Sequence, residues 1–192
     1  MEIASRYLDD VVTAARAVDL KTVLQLVDLL EAAYRTDCQV FVIGNGGSAS
    51  AASHFAEDLC KGALHDNNPK RFRVLSLTDN TSFITAIGND LGYDRVFEFQ
   101  LRQFAKPQDI LIAISGSGNS PNILRAVDWA QQNGLTVVGF TGFNGGKLRP
   151  KANLPIHVPI QHMCKTEAVH AILLHMATDL LKDRIGGPPG PA

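Results

Sequence analysis

The chain has little cysteine, no excess of either charge and no long apolar run, and each shortage removes a class of protein. Cysteine occurs only as Cys38, Cys60 and Cys164, an odd number without close metal-binding spacing. A reducing compartment is therefore expected in preference to a disulfide scaffold. The 18 basic and 19 acidic residues leave a formal charge of -1, which offers no basic stripe to a nucleic acid. No stretch approaches the roughly 18 uninterrupted apolar residues of a membrane span. The opening MEIASRYLDDVV carries acids where a secretory leader needs an apolar core. The chain reads as cytoplasmic, with neither nucleic acid nor membrane as partner.

Two nucleotide-binding fingerprints are also missing. Read from Gly44, GNGGSASA sets Gly47 early for the third glycine of G-x-G-x-x-G and has alanine at 49. Asp79 follows more than 30 residues on, where the fingerprint asks for an acid after about 20. No G-x-x-x-x-G-K-[ST] occurs.

What is present is an ordinary globular composition, with 45% hydrophobic residues and a mean hydropathy of +0.02 over 192 residues. That length suffices for one well-buried core. Two amphipathic helical stretches, 3–14 and 20–34, precede the first strand. Apolar or branched runs at 40–43, 72–77, 109–115, 135–140 and 154–158 read as strands, with helical patterns after them and a last helix over 164–183. Short strands alternating with helices call for a parallel sheet covered on both faces, a three-layer αβα sandwich. One domain over 1–185 is expected, with 186–192 (GGPPGPA) as a flexible tail and 65–70 (HDNNPK) as a loop.

The organising stretch is 40–59, VFVIGNGGSASAASHFAEDL. Strand, glycine turn and helix N-terminus follow one another there, so backbone N–H groups and a helix dipole converge where an anion can be held without arginine. The run Ser115-Gly116-Ser117-Gly118-Asn119-Ser120 repeats this logic with three serines, more than capping one helix requires. Phosphate is the natural anion, and a sugar phosphate needs fewer assumptions than a nucleotide. Asn89 and Asp90 read as loop residues after a helix break at Gly88.

Further polar residues sit on two helices. His54 and Asp58 are four apart and share a face. Glu167, His170 and His175 lie among aliphatic residues, with Glu167 and His175 about 80° apart around the helix. Such nitrogen and oxygen donors suit zinc or another divalent ion. They equally suit an acid and base in proton transfer.

IGNGGSA with its following His, LSLTDNTSFITAIGNDLGYDRVF, ISGSGNSPN, GLTVVGFTG and the late EAVHAILLH resemble the sugar isomerase (SIS) family, and within it the phosphoheptose isomerases. The resemblance implies a five-stranded parallel sheet in a flavodoxin-like SIS fold and a homotetramer with active sites at subunit interfaces. It implies conversion of sedoheptulose 7-phosphate to a glycero-manno-heptose 7-phosphate, a precursor of bacterial surface polysaccharide. By position, Asn45, Gly46, Gly47, Asn89 and Asp90 fall on substrate contacts, Ser115, Gly116, Ser117 and Ser120 on the phosphate loop, and Ser48 beside it. His54, Asp58, Glu167 and His175 fall on the metal and catalytic positions, with Asp58 and His175 as base and proton carrier, Asp58 and Glu167 also toward substrate, and one divalent ion, zinc, per subunit. Asp58 stands where the family has glutamate, and Glu167 where it has glutamine. Two alternatives keep the fold: a regulator that binds the replication initiator protein without catalysis, and an isomerase for another phosphorylated sugar.

Overall fold

A computed structural model describes residues 1–64 and 68–186. The elements are α1 (Glu2–Arg16), α2 (Leu20–Thr36), β1 (Val40–Gly44), α3 (Gly47–Glu57), β2 (Val74–Ser76), α4 (Thr81–Asp90), α5 (Val96–Phe104), β3 (Ile110–Ser115), α6 (Pro121–Gln132), β4 (Thr136–Thr141), α7 (Leu148–Lys151), β5 (Leu154–His157) and α8 (Met163–Ile185). The five strands form one parallel sheet in the order β2-β1-β3-β4-β5. This is the flavodoxin-like order, and it reverses between β1 and β3.

The continuous apolar runs of β1 and β3 suit strands covered on both faces, and every residue of both is buried. Alternate residues supply the two cores. Val42, Ile112, Val138 and Ile156 pack with α1, α2, α3 and α8, while Phe41, Ile43, Leu111 and Val137 pack with α4, α5, α6 and α7. The expected three-layer sandwich is therefore the observed one. β2 is shorter than the expected 72–77, because only Val74, Leu75 and Ser76 pair with β1 at the sheet edge.

One expectation fails at α4. Gly88 does not break the helix, so Asn89 and Asp90 lie in its last turn and not in a loop. Glycine inside a helix costs only about 1 kcal/mol. The chain instead turns at Gly92, whose φ of 100° favours glycine, while the N–H groups of Leu91 and Gly92 both donate to the Ile87 carbonyl.

The outer faces of the helical layer are not all polar. Ile3, Leu8 and Val12 of α1, Leu20 and Leu24 of α2, and Ile172 of α8 are exposed. Of the expected 65–70 loop, 65–67 lie outside the described residues, as do 187–192 of the expected tail. No described helix is long and apolar enough to cross a membrane.

Candidate active site

The reversal of strand order opens a crevice at the C-terminal ends of β1 and β3, the position favoured for ligands in open parallel sheets. Both glycine-rich turns lie there. A cavity of about 270 Å³ is lined by Asn45, Gly46, Gly47 and Ser48 after β1, by Ile114, Ser115, Gly116, Ser117 and Ser120 at the end of β3 and beyond, and by Met163 and Glu167 of α8. Among the described residues no lysine or arginine lines it. Its donors are neutral: backbone N–H groups, serine hydroxyls and the N-termini of α3 and α6.

The serines are arranged to keep their protons free. Ser115 Oγ accepts from the Gly118 N–H at 3.2 Å and Ser117 Oγ from the Asn119 N–H at 3.3 Å. Each oxygen thus points its own O–H elsewhere. Ser120 occupies the N-cap position of α6 yet makes no side-chain capping bond. Gly118 allows this close turn: its φ is 65°, and a Cβ there would stand 2.1 Å from the Gly145 carbonyl oxygen.

A second group lies farther along α3 and α8. Asp58 Oδ1 is 3.8 Å from His54 Nε2, and Asp58 Oδ2 is 3.6 Å from His175 Nε2. One ligand atom from each residue lies within 4.8 Å of the others. The imidazole rings meet edge to face at 5.0 Å. His54 and Asp58 share a face because they are one turn apart, and the packing of α8 on α3 supplies His175. At Asp58 the helix widens into a π-type turn over Asp58–Gly62, with the Ala63 N–H donating to the Asp58 carbonyl at 2.9 Å. Such turns are frequent at functional sites.

This donor set fits a divalent cation. Asp58 Oδ2 is buried and has no hydrogen-bond partner, and the two carboxylate oxygens face the two imidazole nitrogens. Two imidazoles and one carboxylate form a three-ligand set with room for a further oxygen donor. The histidine side chains keep 58% and 54% exposure, so the group opens outward.

Glu167 is not part of this group. Its carboxylate lines the first cavity, with oxygens 2.6 and 2.7 Å from where a Cβ on Gly47 would stand. The reason is helical rise: eight residues separate Glu167 from His175, or about 12 Å along α8. The angular spacing read from the sequence is compatible with a shared face and silent about this distance. Nor do Asn89 and Asp90 line the cavity; Asn89 Nδ2 donates to Asp90 Oδ1 at 2.7 Å on the exposed end of α4.

His170 takes no part in the cavity. It is buried beneath Phe140, and its Nε2 donates to the Thr141 carbonyl at 3.3 Å. Burial pushes its pKa down to about 4, with the Thr141 bond opposing the shift and His157 adding to it. Sequence inspection missed Asn122, Tyr93 and Met163. The hydroxyl of Tyr93 reaches Asn45 across 48 residues, and Asn122 pairs with Asn45 across 77. The second asparagine in ISGSGNSPN was the available signal.

The family model described as the SIS domain matches residues 5–142. The class is thereby defined: this is a SIS-domain protein. A phosphoheptose isomerase of Syntrophotalea carbinolica is 36% identical over 183 residues, covering 95% of this chain and 92% of that protein. One from Mycobacterium tuberculosis is 37% identical over 188 residues, covering 97% and 91%. The solved phosphoheptose isomerase GmhA from Neisseria gonorrhoeae matches with a TM-score of 0.86 and 30% identity, covering 95% of this chain and 97% of that one. The chain belongs to the phosphoheptose isomerase family.

Proposed function

We propose that this chain converts sedoheptulose 7-phosphate to a glycero-manno-heptose 7-phosphate by moving a proton between C1 and C2. One observation carries this reading beyond family membership: Asp58 presents a buried, unpartnered carboxylate oxygen beside two open imidazoles. That oxygen is a proton acceptor that no hydrogen bond occupies.

In this reading Ser115, Ser117, Ser120 and the adjacent N–H groups hold the 7-phosphate, with Gly46, Gly47 and Ser48 closing the cradle and Gly116 letting the chain pass close. That remote binding orients the open-chain ketose. Asp58 removes a proton from C1. His175 carries the hydroxyl proton from the oxygen on C1 to the oxygen on C2, and return of the carbon-bound proton to C2 gives the aldose. His54, Asp58 and His175 would hold one divalent ion, which we assign as zinc; when bound, it supplies Lewis acidity to a carbonyl oxygen.

Assembly as a homotetramer with active sites between subunits belongs to the same reading. Gly47 and Asp58 lie on one helical stretch with about 16 Å of rise between them. A seven-carbon phosphate extends only about 10 Å at roughly 1.2 Å per bond, as in extended backbone. This mismatch supports a cradle of one copy working with the His–Asp–His group of another. The exposed apolar rows on α1 and α2 give the surface for such contacts. We take 1–185 as one working domain in the cytoplasm. The test is incubation with sedoheptulose 7-phosphate beside five- and six-carbon ketose phosphates: appearance of the seven-carbon aldose supports the assignment, and preference for a shorter ketose replaces its substrate.

A further inference from the structure

We propose that Asn122 and Tyr93 are positioning residues that fix the polarity of the Asn45 carboxamide, so that Asn45 offers the ligand a hydrogen-bond donor and never an acceptor. The inference rests on the placement of Asn45 in the substrate cavity.

Asn45 and Asn122 bond reciprocally. Asn45 Nδ2 donates to Asn122 Oδ1 at 2.9 Å, and Asn122 Nδ2 donates to Asn45 Oδ1 at 2.8 Å. Such a pair is ambiguous in isolation, because turning over both amides preserves both bonds. A third contact removes the ambiguity. The backbone N–H of Ile123 donates to Asn122 Oδ1 at 3.0 Å, and a main-chain N–H can only donate. Asn122 must therefore turn its oxygen toward that N–H and toward Asn45 Nδ2. The orientation of Asn45 follows from the main chain of α6.

Tyr93 completes the arrangement by donating its hydroxyl proton to Asn45 Oδ1 at 3.2 Å. The Asn45 oxygen then accepts two bonds, which is its capacity. Its nitrogen has donated one of two protons, and the second remains for the cavity that Asn45 lines. Asn122 is only 2% exposed, so solvent does not compete for this pairing. The group recognised is an acceptor oxygen on the carbon chain of the ligand, from a carbonyl or an alkoxide. An ammonium at that point would meet an N–H and be rejected.

Asn122→Asp is the informative change. It keeps the acceptor for Ile123 and for Asn45 Nδ2, and replaces the donor facing Asn45 Oδ1 with a second acceptor. With sedoheptulose 7-phosphate, kcat/KM should fall about tenfold or more, and Tyr93→Phe should cause a smaller fall in the same direction. In an Asn45→Ala background, Asn122→Asp should change kcat/KM by less than about twofold, because the group it positions is gone. Affinity for inorganic phosphate, which probes the serine loop alone, should stay within about twofold in Asn122→Asp; a general distortion of the cavity would lower it. Equal losses in both backgrounds, or no loss in the first, overturn the proposal. A wild type without isomerase activity overturns the functional reading instead. The lock is then read without substrate by side-chain amide NMR: one Asn45 Nδ2 proton exchanges slowly in the wild type and both exchange fast in Asn122→Ala, which removes the acceptor, whereas two fast protons in the wild type contradict it.

Discussion

Asp58 Oδ2 lies 3.6 Å from His175 Nε2, joining the first turn of a widened helix to the middle of the last helix of the chain. Together with His54 the pair makes a compact donor set. Protein purified without added metal should contain about one divalent ion per chain, and Asp58→Asn should lose most of it, since the substitution removes the only anionic ligand of the three. Metal analysis of both proteins by mass spectrometry checks this. Equal content in both removes Asp58 from the ligand set.

The serine loop should act mainly through binding. Ser117→Ala deletes one donor and should weaken sugar-phosphate binding by about 1 to 3 kcal/mol where that donor meets an ionised phosphate. Thermal stability should change little, because Ser117 Oγ accepts only the Asn119 N–H within its own turn. Titration calorimetry with the substrate resolves the difference, and identical isotherms would take this hydroxyl out of the site.

Glu167 and Gly47 form a second pair with opposite consequences. Glu167→Gln should leave metal content near the wild-type level, since its carboxylate lies at the glycine turn and outside the His–Asp–His group. Substrate affinity should rise, because a neutral amide replaces an anion beside the phosphate cradle. Gly47→Ala should push the same carboxylate aside and raise KM. Metal loss in Glu167→Gln without a change in KM would reverse this assignment.

His170 gives the fold a pH dependence on the acid side. Its pKa falls from 6.5 to about 4 because burial disfavours the imidazolium. Between those values the unfolded chain binds more protons than the folded one, so stability rises with pH there. The contribution is complete above about pH 6.5 and lost as pH falls through 4, amounting to about 3 kcal/mol. Denaturant melts of His170→Gln and wild type at pH 4.5 and 7.5 should differ in slope against pH; parallel curves would show that His170 is not the group responsible.

Much of the architecture was legible because it depends on short-range pattern. Val40 to Ile43 and Ile110 to Ser115 are apolar runs of strand length, and their parallel pairing follows from the helices between them. The two phosphate-type turns were legible for the same reason, since Gly46 and Ser115 to Ser120 follow directly on strands. His54 and Asp58 could be paired from spacing alone. Within one chain Glu167 stands apart from that group, because angular position on a helix does not encode axial distance. Asn89 and Asp90 were misread because a single glycine is a weak helix breaker, and the strong one was Gly92. Asn122 and Tyr93 escaped because their significance lies in contacts with Asn45 that only the packing of α6 and of the turn after α4 creates.

The central claim is proton transfer at Asp58, and the most direct measurement follows sedoheptulose 7-phosphate by NMR in deuterium oxide with wild-type protein and Asp58→Asn. The account predicts that the wild type produces the seven-carbon aldose phosphate, with solvent deuterium entering at C1 of the ketose or C2 of the product, while Asp58→Asn does neither on the same timescale. A wild type that leaves both C1 protons in place and forms no aldose, or an Asp58→Asn variant as active as the wild type, would contradict it.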